Sequence, residues 1–229
     1  MESFKMLGEK ELSELSTEEL KEYTLKLTRY AQMLEKTAYT DPLTGLRNRQ
    51  ALEYDLKEFK KKERTSKDKE KTHAFLVVDV DNFKGMNDNY GHSTGDHILR
   101  RLAGALEKNT RVSRGQDRVY EGRSYRWGGD EFAVLLVDVN PEDVPYIAKR
   151  IVNGIKSQAE KSVKALERLW RMKGYEPSDT ERNLLNDIRN VSVSIGVALF
   201  EEQYKDVFRK ADEALYKVKQ KGKNGYHIA

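Results

Sequence analysis

Two short acidic stretches hold the residue types that could do chemistry. Asp79 and Asp81 close an apolar run, Ala74-Phe75-Leu76-Val77-Val78. Asp130 and Glu131 follow Gly128-Gly129 and open another, Phe132-Ala133-Val134-Leu135-Leu136-Val137. Apolar runs of this length read as buried strands, and the glycine pair reads as a tight hairpin turn. That turn sets Asp130 and Glu131 at the mouth of the following strand. Adjacent carboxylates cannot both be buried unpaired, because like charges in a low dielectric repel and lose hydration. They need water or a cation. A divalent metal is one answer, with glycine letting a phosphate chain approach the backbone. An exposed hairpin tip with two solvated acids is the other. A strand end is a rigid platform, which suits metal and phosphate chemistry.

The elements that must position these acids can be followed along the chain. Residues 9–38 read as a helix, with Ser16 and Glu19 in capping-box spacing for its main segment. Leu20, Tyr23, Leu27, Tyr30 and Leu34 form a heptad seam. The seam implies either a parallel dimer, the reading we favour, or a helix packed on its own domain, and Pro42 ends it. Residues 49–62 show helical spacing, and the second half of the charged stretch 57–72 reads as a solvated loop. Residues 74–81 read as a strand, 82–92 as a loop or short helical turn, and Gly95-Asp96 as the opening of a long helix. Ile98, Leu99, Leu102, Ala105 and Leu106 line the inner face of that helix. Pro141 starts a further helix. The stretch 157–189 adds a second apolar set, a break at Gly174 and Pro177, and another helical piece at 178–189. Residues 191–200 alternate as a strand, 205–221 form a helix, and 226–228 a last short strand. The order predicts an α/β (α+β) fold with a mixed or antiparallel sheet flanked by helices.

Bulk composition narrows the function classes. Lys and Arg outnumber Asp and Glu by 42 to 38, too slight an excess to argue for a nucleic-acid polymer. A local basic patch would still suit polyphosphate. The absence of cysteine excludes disulfides, thiolate metal sites and cysteine nucleophiles. The longest apolar runs are strand-sized, so no membrane segment is expected. Met1-Glu2-Ser3-Phe4-Lys5 lacks an apolar signal region, and a cytoplasmic location is the expectation.

The motifs together resemble the GGDEF family of diguanylate cyclases. Gly128-Gly129-Asp130-Glu131-Phe132 matches the family signature. Asp41-Pro42-Leu43-Thr44-Gly45-Leu46-Arg47-Asn48-Arg49 is similar to its opening motif. Asp79-Val80-Asp81-Asn82-Phe83-Lys84, Asn87-Asp88, Tyr90-Gly91-His92 and Gly95-Asp96 match its first catalytic block in order and spacing. Val193-Ser194-Ile195-Gly196-Val197-Ala198, Ala211-Asp212-Glu213-Ala214-Leu215-Tyr216, Lys219 and Gly222-Lys223-Asn224 match its closing blocks. The resemblance covers about residues 39–229 and leaves 1–38 as a helical, coiled-coil segment.

The resemblance implies a palm-like nucleotidyl-cyclase fold. It also implies condensation of two GTP molecules into cyclic di-GMP, with release of two pyrophosphates, by a homodimer whose GTP sites face each other. Asp79, the carbonyl of Val80 and Asp130 would hold Mg²⁺ (or Mn²⁺), with Asp130, Glu131 and Lys84 as catalytic groups. Backbone amides around Asn82 and Phe83 would cradle the β- and γ-phosphates, with Lys84, Lys219 and Lys223 neutralising their charge. The family often has arginine where Lys223 stands, and lysine lacks its bidentate fork. Asn87 and Asp96 correspond to guanine readers. An aspartate accepts from the N1–H and N2–H edge of guanine, a donor pair that adenine lacks. His92, Trp127 and Asp212 are read as structural. The intact Asp79, Lys84, Asp130 and Glu131 speak against a silent GTP- or cyclic di-GMP-binding module.

Two departures from the family stand out. Arg114 and Asp117 have the residue types of its product-inhibition pair but lie further upstream of the signature. They form either an inhibition site, with residues 118–125 looped out as an enlarged hairpin or bulge, or a solvated arginine-rich loop. The segment 157–190 is longer than the family's usual bridge, which adds helical turns there.

Overall fold

A computed structural model describes residues 6–63, 72–110, 121–200 and 206–229. Five strands form one sheet in the order β2-β3-β1-β4-β5. The central strand β1 (Thr72–Val80) runs antiparallel to both β3 (Glu131–Val139) and β4 (Val193–Leu199). β2 (Glu121–Gly128) pairs with β3 as a hairpin, and β5 (Gly225–Ile228) lies parallel to β4. A parallel neighbour needs a crossover, which helix α8 (Val207–Gln220) supplies. The mixed sheet expected from the sequence is the one observed.

Alternation along the strands builds a core on each face. Leu76 and Val78 of β1 join Val134, Leu136, Ile195 and Val197 in the larger core. Phe75 points the other way, toward Tyr125, Leu135 and Ala198. Each such side chain contributes about 1.5–3 kcal/mol when buried, enough to fix the strand register. The larger core is covered by α5 (His92–Thr110) and α6 (Val144–Lys173), and all five expected inner-face residues of α5 are buried. The other face is covered by α3 (Arg49–Glu63) and α8. A Cβ on Gly196 of β4 would stand 1.9 Å from the Ala211 carbonyl oxygen, so only glycine lets α8 lie this close to the sheet.

Several boundaries differ from the sequence reading. The N-terminal helix is two pieces, α1 (Glu9–Ser13) and α2 (Thr17–Tyr39), because Ser16 takes an extended conformation to cap the second. The expected capping box is present: Ser16 Oγ accepts from the Glu19 N–H, and Glu19 accepts from the Ser16 N–H at 2.8 Å. No residue of α2 is buried, and Leu20, Leu25, Met33 and Leu34 stand exposed along it. The segment after β1 forms a full helix, α4 (Phe83–Tyr90). α5 begins at His92, three residues before the Gly95 expected to open it, because Gly91 at φ 82° makes the turn between the two helices. A 3₁₀ turn at Pro141–Asp143 leads into α6, which ends at Gly174 with φ 61°. α7 (Asp179–Arg189) follows, capped by Ser178 and Glu181. Residues 121–125 do not loop out. They pair in register with residues 133–137, so extra length here extends the hairpin, and the ladder shifts register only at Trp127. Among the described residues no helix is long and apolar enough to cross a membrane.

Candidate active site at the ends of the first and third strands

The antiparallel register sets Asp79 directly across from Glu131. Gly128 pairs with Glu131 across the hairpin, so the two-residue loop is Gly129-Asp130, one position later than the Gly-Gly turn expected. Gly129 takes φ 54°, the left-handed conformation that such a loop needs and glycine adopts without strain. Asp130 is therefore in the turn itself. Its carbonyl accepts from the Val80 N–H at 3.3 Å, which ties the loop to the end of β1.

Three carboxylates thus gather at one corner, and they are incompletely compensated. Lys219, in the last turn of α8, places Nζ 2.8 Å from Asp79 Oδ2. Despite that partner, Asp79 is held above the usual carboxylate range by burial, helped by the charges of Asp130 and Asp81. Glu131 is raised as well, first by burial and then by Asp79 and Asp130, with a smaller contribution from Asp212. Asp212, read from sequence as structural, is exposed and adds its charge to this corner.

Asp81 stands apart from this group. It is buried and accepts from Ser192 Oγ at 2.6 Å, Ser194 Oγ at 2.7 Å and the Asn224 N–H at 3.1 Å. The sequence reading gave it no role of its own. The signal available was Val191-Ser192-Val193-Ser194, where serines alternating into a buried strand require a partner. Asp81 fixes the tight loop Gly222-Lys223-Asn224, in which all three residues have positive φ. That loop delivers Lys223 Nζ to Asn82 Oδ1.

Asn82 itself sits at φ 57°, ψ 24° and precedes α4 without capping it through its side chain. The first turn of α4 therefore has no side chain on its backbone N–H groups from the cap residue, and Lys84 stands exposed in that turn. Phe83 is half-buried and packs against the larger core. On the far end of α4, Asn87 Oδ1 is buried with no hydrogen-bond partner among the described residues. Gly95 leaves it room, since a Cβ there would lie 2.0 Å from Asn87 Oδ1. Asp96, the next residue of α5, is half-buried. Arg114 and Asp117 lie outside the described residues.

The opening motif is tied to the same hairpin. Arg126 on β2 donates to both oxygens of Asp41 at 3.2 Å and to the Gly129 carbonyl at 2.9 Å. Its own N–H donates to the Arg47 carbonyl at 2.8 Å. Beneath it, Asp55 is buried and accepts from the Tyr125 hydroxyl at 2.5 Å, with Arg47 and Arg123 each 3.1 Å away. Trp127 packs in the hairpin as expected, its ring 5.4 Å from Phe208 and beneath the Arg49 guanidinium.

Comparison with known proteins agrees with this geometry. The diguanylate cyclase GGDEF domain family matches residues 38–173 and 175–225. Diguanylate cyclase A of Treponema denticola is 32% identical over 197 residues, covering 85% of this chain and 45% of that protein. Diguanylate cyclase DosC of Escherichia coli is 35% identical over 153 residues, covering 66% and 27%. The chain thus spans less than half the length of these curated relatives. Among solved structures, the coiled coil and GGDEF domain of DgcB from Caulobacter crescentus, in complex with c-di-GMP, superposes with a TM-score of 0.63 at 26% identity. That match covers 92% of this chain and 97% of the other. The diguanylate cyclase SiaD of Pseudomonas aeruginosa, solved with its activator SiaC, gives 0.60 at 26% identity, covering 93% and 72%. The sheet order, the strand-end acids and the family match over most of the chain lead to one assignment: this chain belongs to the GGDEF family of diguanylate cyclases.

Proposed function

We propose that the chain condenses two GTP molecules into cyclic di-GMP and two pyrophosphates. The observation that carries this reading is the charge imbalance at the strand ends: Asp79 and Glu131 are both raised beside Asp130, even with Lys219 on Asp79. A corner of that kind gains from a cation. Its donors are hard oxygens, the set that Mg²⁺ prefers. No three His, Cys, Asp or Glu side chains among the described residues are arranged to hold a metal by themselves. That fits Mg²⁺, which takes one or two carboxylates and completes its shell with water and substrate phosphates. Asp79, Asp130 and the Val80 carbonyl would hold it, and Mn²⁺ would substitute. When bound, the ion would neutralise charge developing on the transferring phosphoryl group and on the departing pyrophosphate.

The chain's own residues account for the rest. The first-turn amides of α4, around Asn82 and Phe83, would take the β- and γ-phosphates, because a helix N-terminus favours anions. Lys84 and Lys223 would add positive charge on either side, and Lys219 would turn from Asp79 toward phosphate. The orphaned Asn87 oxygen needs a donor, and guanine offers one at the edge that Asp96 would also read. Asp130 stands as the candidate base for the attacking 3′-hydroxyl, with Glu131 as a further acid whose raised pKa suits proton transfer. One site holds one GTP, so two copies must face each other. The exposed apolar residues of α2 would pair residues 1–38 of two chains and raise the local concentration of catalytic domains 39–229.

The test is to incubate the purified chain with GTP and Mg²⁺, with and without ATP, and to identify products by mass spectrometry. Cyclic di-GMP is expected from the native chain and not from Asp130→Ala. A mixed guanine–adenine product would refute the role given to Asp96. Failure to form cyclic di-GMP even when α2 is replaced by an unrelated dimerising helix would refute the cyclase reading.

A further inference from the structure

Helices α5, α6 and α7 enclose a cavity of about 620 Å³ that the strand-end chemistry does not use. The volume lies inside the range of roughly 300–1,000 Å³ typical of small-molecule sites. Its floor is aliphatic: Ile98, Leu102, Ile155, Val163 and Leu185 all line it and all are buried. Leu166 and Leu169, on the stretch of α6 beyond the sheet, continue the apolar wall to the surface, where they are 36% and 44% exposed. The walls are pinned. Tyr90 at the end of α4 donates to Asp187 of α7 at 2.7 Å, and Arg189 of α7 pairs with Glu167 of α6 at 2.7 Å. Those contacts tie α7 to α4 and α6, and residues of α6 and α7 from the long 157–190 segment form much of the cavity wall.

The mouth has a charge. His97 and Arg101 line it one helical turn apart on α5, and no Asp or Glu lines the cavity among the described residues. Neither basic side chain has a carboxylate partner among the described residues. An aliphatic chamber with a guanidinium at its rim is complementary to a molecule with an apolar body and an anionic head. A guanidinium binds a carboxylate through two parallel hydrogen bonds.

We infer that this pocket is a binding site for an amphiphilic anion, a medium-chain carboxylate, with its chain among the α5–α6–α7 aliphatics and its head at Arg101. The inference does not depend on the cyclase reading, since it concerns binding alone. The experiment is calorimetric titration of the full chain with decanoate, below its micelle-forming concentration, and with decanol as the uncharged counterpart. The native chain should take up one decanoate saturably. Arg101→Gln, an exposed position, should weaken decanoate at least about tenfold, the scale of one charge-assisted hydrogen bond, and leave decanol unchanged. Ala159→Phe, which fills the chamber from α6, should abolish uptake of both. No saturable decanoate binding, or equal decanoate affinity in native and Arg101→Gln chains, would overturn the proposal. If the groove is instead a contact between copies, decanoate will not bind and Ala159→Phe will lower the mass seen by light scattering, which overturns it too.

Discussion

Asp79 and Asp81 stand two residues apart at the end of β1, and their surroundings differ. Asp81 is buried among three neutral donors, two serine hydroxyls and a backbone N–H, all within 3.1 Å. Asp79 meets one ammonium and faces two further carboxylates. Both oxygens of Asp81 accept hydrogen bonds from the fold, whereas Asp79 has the Lys219 ammonium on Oδ2 and stays raised by burial and neighbouring carboxylates. The contrast separates a carboxylate satisfied by neutral donors of the fold from one raised by burial and by neighbouring charge. Asp55, with Tyr125, Arg47 and Arg123 around it, belongs with Asp81.

The sharpest way to break this contrast is Asp79→Asn. If Asp79 is a metal and phosphate residue, cyclic di-GMP formation should fall by about 10³-fold or more, the scale of removing a principal electrostatic contact from a transition state. Stability should hardly change. The ion pair with Lys219, partly exposed at its ammonium end, is worth about 1 kcal/mol, and its loss is offset by relief of repulsion with Asp130 and Glu131. A large drop in the urea midpoint, measured by circular dichroism, would put Asp79 in the same class as Asp81.

Asp81→Ala should show the opposite balance. It strands the buried Ser194 hydroxyl and the Asn224 N–H, at a cost of about 2–4 kcal/mol. The loop carrying Lys223 loses its anchor, so KM for GTP should rise more than kcat falls. Asp81→Asn keeps an acceptor and should recover part of both. A fully stable Asp81→Ala with lost activity would mean that Asp81 touches the reacting groups directly.

These two acids also mark how far the sequence could be read. The register that places Asp79 against Glu131 follows from two apolar runs and a glycine turn, so the site's centre was visible in order and spacing. The heptad seam of α2 coincides with its exposed apolar residues only at Leu20 and Leu34; Tyr23, Leu27 and Tyr30 are half-buried, and Leu25 and Met33 are exposed off the seam. The role of Asp81 was not visible, because Ser192-Val193-Ser194 signals only that a partner is needed, and that partner lies more than a hundred residues away. The link between Asp41 and Arg126, 85 residues apart, was hidden in the same way. For residues 121–125 the sequence left an enlarged hairpin and a bulge open, because a polar edge strand has weak periodicity, and pairing with the apolar β3 decides for the hairpin. The helix α4 was short enough to pass for a turn.

A smaller effect sharpens the comparison on the guanine side. Asn87 Oδ1, like Asp79, lacks what it needs within the fold. Gly95→Ala would drive a Cβ to within 2.0 Å of that oxygen. That atom and Phe83 Cζ, 2.9 Å from the same Cβ, are at the free ends of side chains, so both can swing aside, and the better helix propensity of alanine offsets much of the strain. The thermal midpoint should stay nearly constant while KM for GTP rises about tenfold, the value of one hydrogen bond to the base. Unchanged KM would remove Asn87 from the binding surface.

The smallest effect tests whether Asp41 belongs with the satisfied acids. Burial pushes its carboxyl up, but hydrogen bonds from the Thr44 hydroxyl and N–H, and then Arg126, more than offset this and hold it below the ordinary range. The sign follows. A carboxyl lowered in the folded state contributes stability that is complete above its unfolded pKa, near 3.9, and that is lost as pH falls through the lower folded value. Asp41→Asn should therefore be less stable than the native chain at neutral pH by about 1 kcal/mol, the net value of a charge-assisted contact at a mostly buried site. The gap should close as the pH drops below about 4. Urea midpoints of the two chains between about pH 6 and about pH 3 read this directly. A gap independent of pH would show that Arg126 is held by the Gly129 carbonyl and the shape of the turn, with the charge on Asp41 incidental.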